Sequence, residues 1–268
     1  MRKLNLLLKI VTITLTFILI SCSKKDPSYT QAHLVEVKSG GVGGIYFLDV
    51  NGFRLNPTLE SISKLESSNV FLTEGISYIQ YKIASDNTST GSGTPTAYSI
   101  ELLSSVSLDR IFESTDSWHI DDFAPTAPII CLGSAIESTG NMLLMNDRYL
   151  LMEVNYYFGV ASDGKALPHD FTLVYNVDET TAESASLKLH LSHNNIGDTR
   201  SDYQSALVAQ ADLTLYLMAF DLEVALSHFK MITNKSEFAI SVTADIASEY
   251  YQTIDDATQK EYLYNYRP

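Results

Sequence analysis

His190 and His193 stand three residues apart, and two imidazoles at close spacing are a common way to hold a zinc ion. On a helix that spacing would put both rings on one face. Residues 186–192 read instead as strand, where positions i and i+3 point to opposite sides, so one metal could not easily take both. His193 then opens a turn. His169 beside Pro168 and His228 on a short helical stretch have no second ligand at a useful spacing. Asn194-Asn195-Ile196-Gly197-Asp198 and the pair Asp255-Asp256 offer oxygen donors for weakly held calcium, but they lack the alternating acidic loop closed by Glu that an EF-hand uses. Turn chemistry accounts for their Asn, Gly and Asp. Gly40-Gly41-Val42-Gly43-Gly44 precedes a strand and so is no phosphate cradle, and the chain has no Gly-x-Ser-x-Gly elbow. The sequence therefore assigns no catalytic residue, no metal ligand and no cofactor. Glycan processing by carboxylates that meet only in space stays open as the enzymatic alternative.

Cys22 carries a different chemistry. It closes the run Leu19-Ile20-Ser21-Cys22 behind an apolar stretch: Met1-Arg2-Lys3 is positive, residues 6–20 are apolar or Thr except Lys9, and Ser21 is small. That is the layout of a secretory signal. The run resembles the lipobox of bacterial lipoproteins, in which the cysteine thiol is lipidated and the signal is cut just before it. The resemblance implies removal of residues 1–21 and lipid attachment at Cys22. A transmembrane reading fits less well, because the apolar run falls short of the ~20 residues needed to cross the hydrocarbon and Lys9 interrupts it. Two or three acyl chains hold a protein on a bilayer almost permanently. The expected location is extracytoplasmic, lipid-anchored to the outer membrane on its periplasmic or surface face.

Loss of residues 1–21 removes Arg2, Lys3 and Lys9 and no acid, which lowers 18 basic residues to 15 against 32 acidic and moves the formal charge from −14 to −17. Such a field repels phosphate backbones, so nucleic acid is disfavoured and a cationic protein or peptide is the partner that charge suggests. With Cys22 committed to lipid, Cys131 has no disulfide partner. Its flanks Pro128-Ile129-Ile130 and Leu132 are apolar, as for a buried or half-buried thiol.

The elements that must position any site read as all-β. Residues 23–33 are polar and aperiodic and, with Cys22, form a tether over 22–33 that includes His33. Short β-branched and aromatic segments then recur between turn signals. Asn51-Gly52 between apolar runs predicts a tight hairpin with positive φ at both central positions. Leu59, Ile62 and Leu65 have helical spacing in a short crossover, and residues 70–72 and 76–84 read as strand. Within 76–84, apolar residues fall on both faces, so either both faces are covered or a bulge shifts the register. The polar loop at 85–95 leads to a strand over 97–106, and 108–112 closes the unit. Five short strands with one crossover suggest a small OB-like barrel over 34–116. Residues 118–134, with Trp118, Asp121-Asp122, Pro125 and Pro128, read as an extended linker. Longer strands at 149–157, 170–176, 186–192, 207–219 and 237–244 have the rhythm of a β-sandwich over 117–247. Leu222, Ala225, Leu226 and Phe229 mark one edge helix, and the Tyr-rich extension 248–268 packs back on the body or adds an edge strand.

Three features together resemble the NigD-like lipoproteins, known mainly from Bacteroidetes. They are the lipobox, the barrel segment Asp49-Val50-Asn51-Gly52-Phe53-Arg54-Leu55-Asn56-Pro57, and the stretch Leu187-Lys188-Leu189-His190-Leu191-Ser192-His193-Asn194-Asn195-Ile196-Gly197-Asp198. The resemblance implies an N-terminal OB-like domain, a C-terminal β-sandwich, an envelope address and a bacteriocin-related or immunity role, and it carries no catalytic residues. Ser23-Lys24-Lys25-Asp26 is basic where the family often has an acidic run, which leaves both the periplasmic and the surface face open. The expected activity is binding rather than catalysis, in a protection module that meets a cationic partner. The alternative is glycan binding or glycan processing, with Tyr46, Phe47, Tyr78, Tyr81 and Tyr98 as stacking residues in a barrel groove.

Overall fold

The computed structural model describes residues 29–40, 44–84, 97–133, 142–198, 207–208, 216–249 and 252–266. The signal stretch, Cys22, the loop at 85–95, and Tyr250 and Tyr251 lie outside them. Five strands close a barrel: β1 (Gln31–Ser39), β2 (Ile45–Asp49), β3 (Arg54–Pro57), β4 (Gly75–Ile83) and β5 (Ala97–Ser107), in the order β1-β2-β3-β5-β4 with β4 returning to β1. Helix α1 (Leu59–Ser67) joins β3 to β4, as in an OB-fold. The Thr58 side chain accepts from the Ser61 amide at its start. At its end Asn69 takes φ +60°, its amide reaches Glu66 O, and the Val70 amide reaches Leu65 O. This left-handed ending lets Leu65 and Val70 pack on the barrel core, and it occupies the place where a strand over 70–72 was expected.

Two details of the barrel follow local chemistry. At Asn51-Gly52 only Gly52 takes positive φ, at +77°. The Asp49 carboxylate accepts from the amides of Asn51 and Phe53, both at 2.8 Å, and Gly52 N–H donates to Asp49 O. The turn is therefore an Asp-organised one with a single left-handed glycine, not the doubly positive turn that Asn-Gly suggests. In β4 both readings of the two-faced pattern hold. Ile79 and Tyr81 enter the barrel core with Val35 and Phe47, while Ile76 and Tyr78 join Leu34, Leu108, Tyr149 and Leu151 in a second cluster between barrel and sandwich. A register shift at Gln80/Tyr81 marks a bulge.

The remaining strands are β6 (Ile111–Thr115), β7 (Cys131–Leu132), β8 (Met142–Met145), β9 (Tyr149–Asn155), β10 (Tyr157–Phe158), β11 (His169–Asn176), β12 (Ser186–Asn195), β13 (Leu207–Val208), β14 (Leu217–Asp221), β15 (Phe238–Ile246) and β16 (Thr258–Tyr266). Helix α2 (Glu223–Thr233) connects β14 to β15. One sheet runs β16-β15-β12-β11-β6 and the other β14-β9-β7, with β8 paired to β9 and β10 to β13. Alternate residues of β9, β11, β12, β14 and β15 fill the core between them, and Ala225, Leu226 and Phe229 of α2 complete it. The fold is all-β, a small OB-like barrel followed by a β-sandwich.

Several elements differ from the expectation. β1 begins at Gln31, so the last three residues placed in the tether, including His33, are strand. β6, expected to close the barrel, instead pairs parallel to β11, after the chain has left the barrel and bridged Asp109 to Ala219 of β14 in the opposite sheet. The expected strand over 207–219 has its described ends in different sheets, β13 on β10 and β14 on β9. The β8–β9 hairpin was not foreseen. It turns through Asn146 and Asp147 at φ +53° and +54°, with Arg148 N–H on Met145 O, the primed turn expected at Asn51-Gly52. The tail supplies β16, an antiparallel partner of β15 along nine residues.

Candidate functional site

β12 sorts its side chains by alternation: Leu187, Leu189 and Leu191 are buried in the core, and Lys188 and His190 face out. The register places Lys188 beside Ser241, and His190 beside Thr243, which in turn faces Glu261 of β16. This outer face is the floor of a cleft of about 540 Å³, whose wall is the linker from Ile120 to Pro125. The linker is tied down at both ends. Ser117 N–H donates to Asp178 Oδ2 at 2.9 Å and Asn176 Nδ2 donates to Ser117 Oγ at 3.2 Å. At the other end the amides of Thr126 and Ala127 donate to His193 O.

Three carboxylates line the cleft, Asp121, Glu179 and Glu261, against one ammonium, Lys188. Among the described residues none of the three is in an ion pair. Glu261 accepts from the Ser241 hydroxyl. Ser241 is only 1 % exposed, so its hydroxyl positions Glu261 and is not open to a substrate. His190 Nδ1 lies 3.2 Å from Thr243 Oγ1, and its Nε2 lies 3.7 Å from Asp245 Oδ2. Burial pushes the imidazole below its ordinary pKa, against the pull of Asp245 and Glu179. The arrangement suits recognition of a polar, cation-bearing ligand, and its residues do not form a nucleophile–base pair open to solvent.

At the head of the linker, Asp116 Oδ1 accepts from the amides of Trp118 and His119 and lies 2.7 Å from His119 Nδ1. The His119 hydrogen bond holds the Asp116 carboxyl below its usual range and raises the imidazole in return. This turn holds up the Trp118 side chain, which is 90 % exposed.

A second cluster lies on the inner side of the same sheet. β11 and β12 pair Phe171 with His193, whose rings stack at 4.4 Å, and His169 Nδ1 reaches His193 Nε2 at 2.8 Å. His169 Nε2 lies 3.0 Å from Asp198 Oδ2, which also accepts from the Gly159 amide. The His169 and Asp198 side chains are 1 % and 3 % exposed. A cavity of about 380 Å³ bordered by Asp109, Arg110 and Asp170 opens beside His169. Sequence reasoning missed this cluster. The signal was strand pairing, since His169 and His193 meet only once the β11–β12 register is known.

The other residues singled out by sequence are dispersed. His190 and His193 do point to opposite sides of β12. His228 Nδ1 lies 2.7 Å from Tyr175 OH, and the His33 ring packs edge-on against Tyr81. Asp256 closes a capping box with Thr253, and Asp198 turns inward instead of lining a surface loop. Phe47 and Tyr81 are buried in the barrel, Tyr98 packs against its core, Tyr78 packs between barrel and sandwich, and Tyr46 is covered by Arg54 at 4.1 Å, so these aromatics form no exposed stacking row. The Cys131 thiol is half-buried, 3.5 Å from Gly133 O, and burial pushes its pKa up. Among the described residues no group of three His, Cys, Asp or Glu is arranged to hold a metal ion, and no helix is long and apolar enough to cross a membrane.

No family model and no curated protein matches the chain. Solved structures do. A Bacteroides fragilis protein described as a lipoprotein is 18% identical and shares the fold over 89% of this chain and 99% of its own, at a TM-score of 0.66. A NigD-like immunity protein from Bacteroides caccae is 17% identical over 91% of this chain and 100% of its own, at 0.51. A protein described as toxin-related, from Parabacteroides distasonis, is 12% identical over 89% and 93%, at 0.52. This chain therefore shares the fold of these proteins over about nine tenths of its length.

Proposed function

We propose that the mature chain is a lipoprotein held outside the cytoplasm through Cys22 and that it works by binding, as a protection module of the NigD-like type. The observation that carries this reading is the fold shared with a NigD-like immunity protein over 91% of this chain and all of that one. The lipobox at Cys22 supports the address, and the mature charge of −17 supports a cationic protein or peptide as partner. Glycan recognition is the weaker reading. The exposed large aromatics among the described residues, Tyr29, Phe53, Phe71 and Trp118, sit on four separate segments and make no platform on one sheet.

A pull-down from envelope and culture fluid with residues 23–268, at low and high salt, tests the binding reading. Capture of a basic protein that high salt releases is the expected result, and salt-insensitive capture or none sinks electrostatic recognition. Cys22→Ser should abolish palmitate labelling and membrane fractionation, and persistence of both overturns the lipid anchor.

A further inference from the structure

A cleft opens on the outer face of the five-stranded sheet beside the linker. We propose that this cleft is the docking groove for a lysine- or arginine-bearing segment of the partner polypeptide, with Trp118 as its aromatic anchor. The assignment rests on the cationic-partner reading above and says where on the molecule that partner is held.

Three observations carry it. First, Asp121, Glu179 and Glu261 line the cleft without ion-pair partners among the described residues, and Lys188 offsets only one of them. Carboxylates on a concave, partly desolvated surface attract an incoming ammonium or guanidinium more strongly than the same groups spread on a convex one. A face with equal numbers of both charges would instead satisfy itself.

Second, Trp118 is presented, not merely uncovered. The Asp116 carboxylate accepts from its amide, Ser117 is bonded to Asp178 and to the cleft residue Asn176, and the indole itself is 90 % exposed. An indole on a turn already ordered loses little freedom on binding, and its face attracts cations. Trp is also among the residue types that concentrate binding energy at interfaces.

Third, the floor is stiff. Glu261 is fixed by Ser241, and His190 is held between Thr243 and Asp245, so the groove keeps its shape while empty.

Trp118 is the only tryptophan in the chain, so the fluorescence of the protein reports on this turn. Residues 23–268 keep every described element and serve as the sample. An oligolysine peptide of about ten residues should change the emission saturably, with affinity falling at least tenfold from about 50 to about 500 mM salt. Oligoglutamate and a maltose oligomer should give no saturable change. Glu179→Gln with Glu261→Gln should weaken oligolysine roughly tenfold, whereas the charge-matched pair Glu66→Gln with Glu101→Gln on the barrel should not, because only the first pair removes local charge. Equal loss from both pairs, no saturable response, or a response to the sugar alone overturns the groove. Partner capture separates the two levels. If the wild type and the cleft variant carrying Trp118→Ala capture the same basic protein equally, the groove is wrong and the binding reading stands. If oligolysine binds with the expected pattern but no basic partner is captured, the binding reading fails and the groove stands.

Discussion

His169 and His193, from adjacent antiparallel strands, share a proton across 2.8 Å in the interior of the sandwich, and their other neighbours set how many protons the pair holds. His193 Nδ1 lies 3.1 Å from Pro128 O, and a carbonyl only accepts, so Nδ1 carries hydrogen. A second hydrogen lies between His193 Nε2 and His169 Nδ1. The other His169 nitrogen faces Asp198 Oδ2, an oxygen already accepting from Gly159 N–H. A carboxylate accepting from both requires hydrogen on His169 Nε2, so the two rings together hold three hydrogens and one positive charge beside Asp198. Nitrogen-15 spectra at neutral pH should show three protonated ring nitrogens among the four of His169 and His193. Two singly protonated rings would refute this assignment. Asp198→Asn should destabilise by roughly 3 kcal/mol, because the buried positive charge of the histidine pair loses its counter-charge.

Gly75 faces Asp109, and the space for a side chain between them is absent. A Cβ at Gly75 would lie 2.0 Å from Asp109 Oδ2, and Gly75 sits at φ +132°. The Asp109 carboxylate cannot simply swing away, because it accepts from the Ile76 amide at 2.8 Å and from Ser107. Gly75→Ala should therefore cost roughly 3 kcal/mol in chemical denaturation, combining backbone strain with overpacking. Adding Asp109→Gly should recover part of that loss. A stable single variant would mean that the barrel exit is softer than these contacts imply.

The pH dependence of stability should carry a trace of His190. Burial lowers its folded pKa from the ordinary 6.5, so the unfolded chain takes up its proton more readily. The stabilisation from keeping it neutral is complete above the unfolded value and is lost as pH falls from there through the lower folded value. Asp245 and Glu179 oppose the shift without reversing it, and Thr243 faces the ring from the neighbouring strand. The melting temperature of wild type should fall more steeply than that of His190→Gln between about pH 7 and about pH 5. Parallel curves would show that the ring titrates alike folded and unfolded.

The parts of this fold that were legible are those where one stretch of chain decides its own state. Leu59, Ile62 and Leu65 announced α1, Leu222 to Phe229 announced α2, and the alternation around His190 and His193 correctly put the two rings on opposite sides. What escaped depended on partners far along the chain. β6 is five residues with nothing local to say which sheet it joins, and its place is set by parallel pairing with β11, about sixty residues further on. The Asn146-Asp147 turn lacks the glycine that usually marks a primed hairpin. The cleft was invisible for a related reason: Asp121, Glu179, Lys188 and Glu261 come from the linker, a 3-10 turn and two strands, and only the sheet register gathers them.

Barrel and sandwich are joined through Leu108, which is fully buried. Its amide donates to Ile76 O in the barrel and its carbonyl accepts from the Ala219 amide in the sandwich. Its side chain packs with Ile76, Tyr149 and Leu151. Beside this cluster Asn146 Nδ2 donates to the buried Glu36 of β1 at 2.6 Å, so a polar bond backs the apolar contact. A junction of this kind makes the two units unfold together. Leu108→Ala should destabilise by about 3 kcal/mol through lost burial and a residual cavity. The wild type should show a single calorimetric transition, and the variant should split it into two, because the cavity weakens the coupling more than either separate core. A wild type that already melts in two steps, or a variant that still melts in one, would show that cooperativity is carried elsewhere.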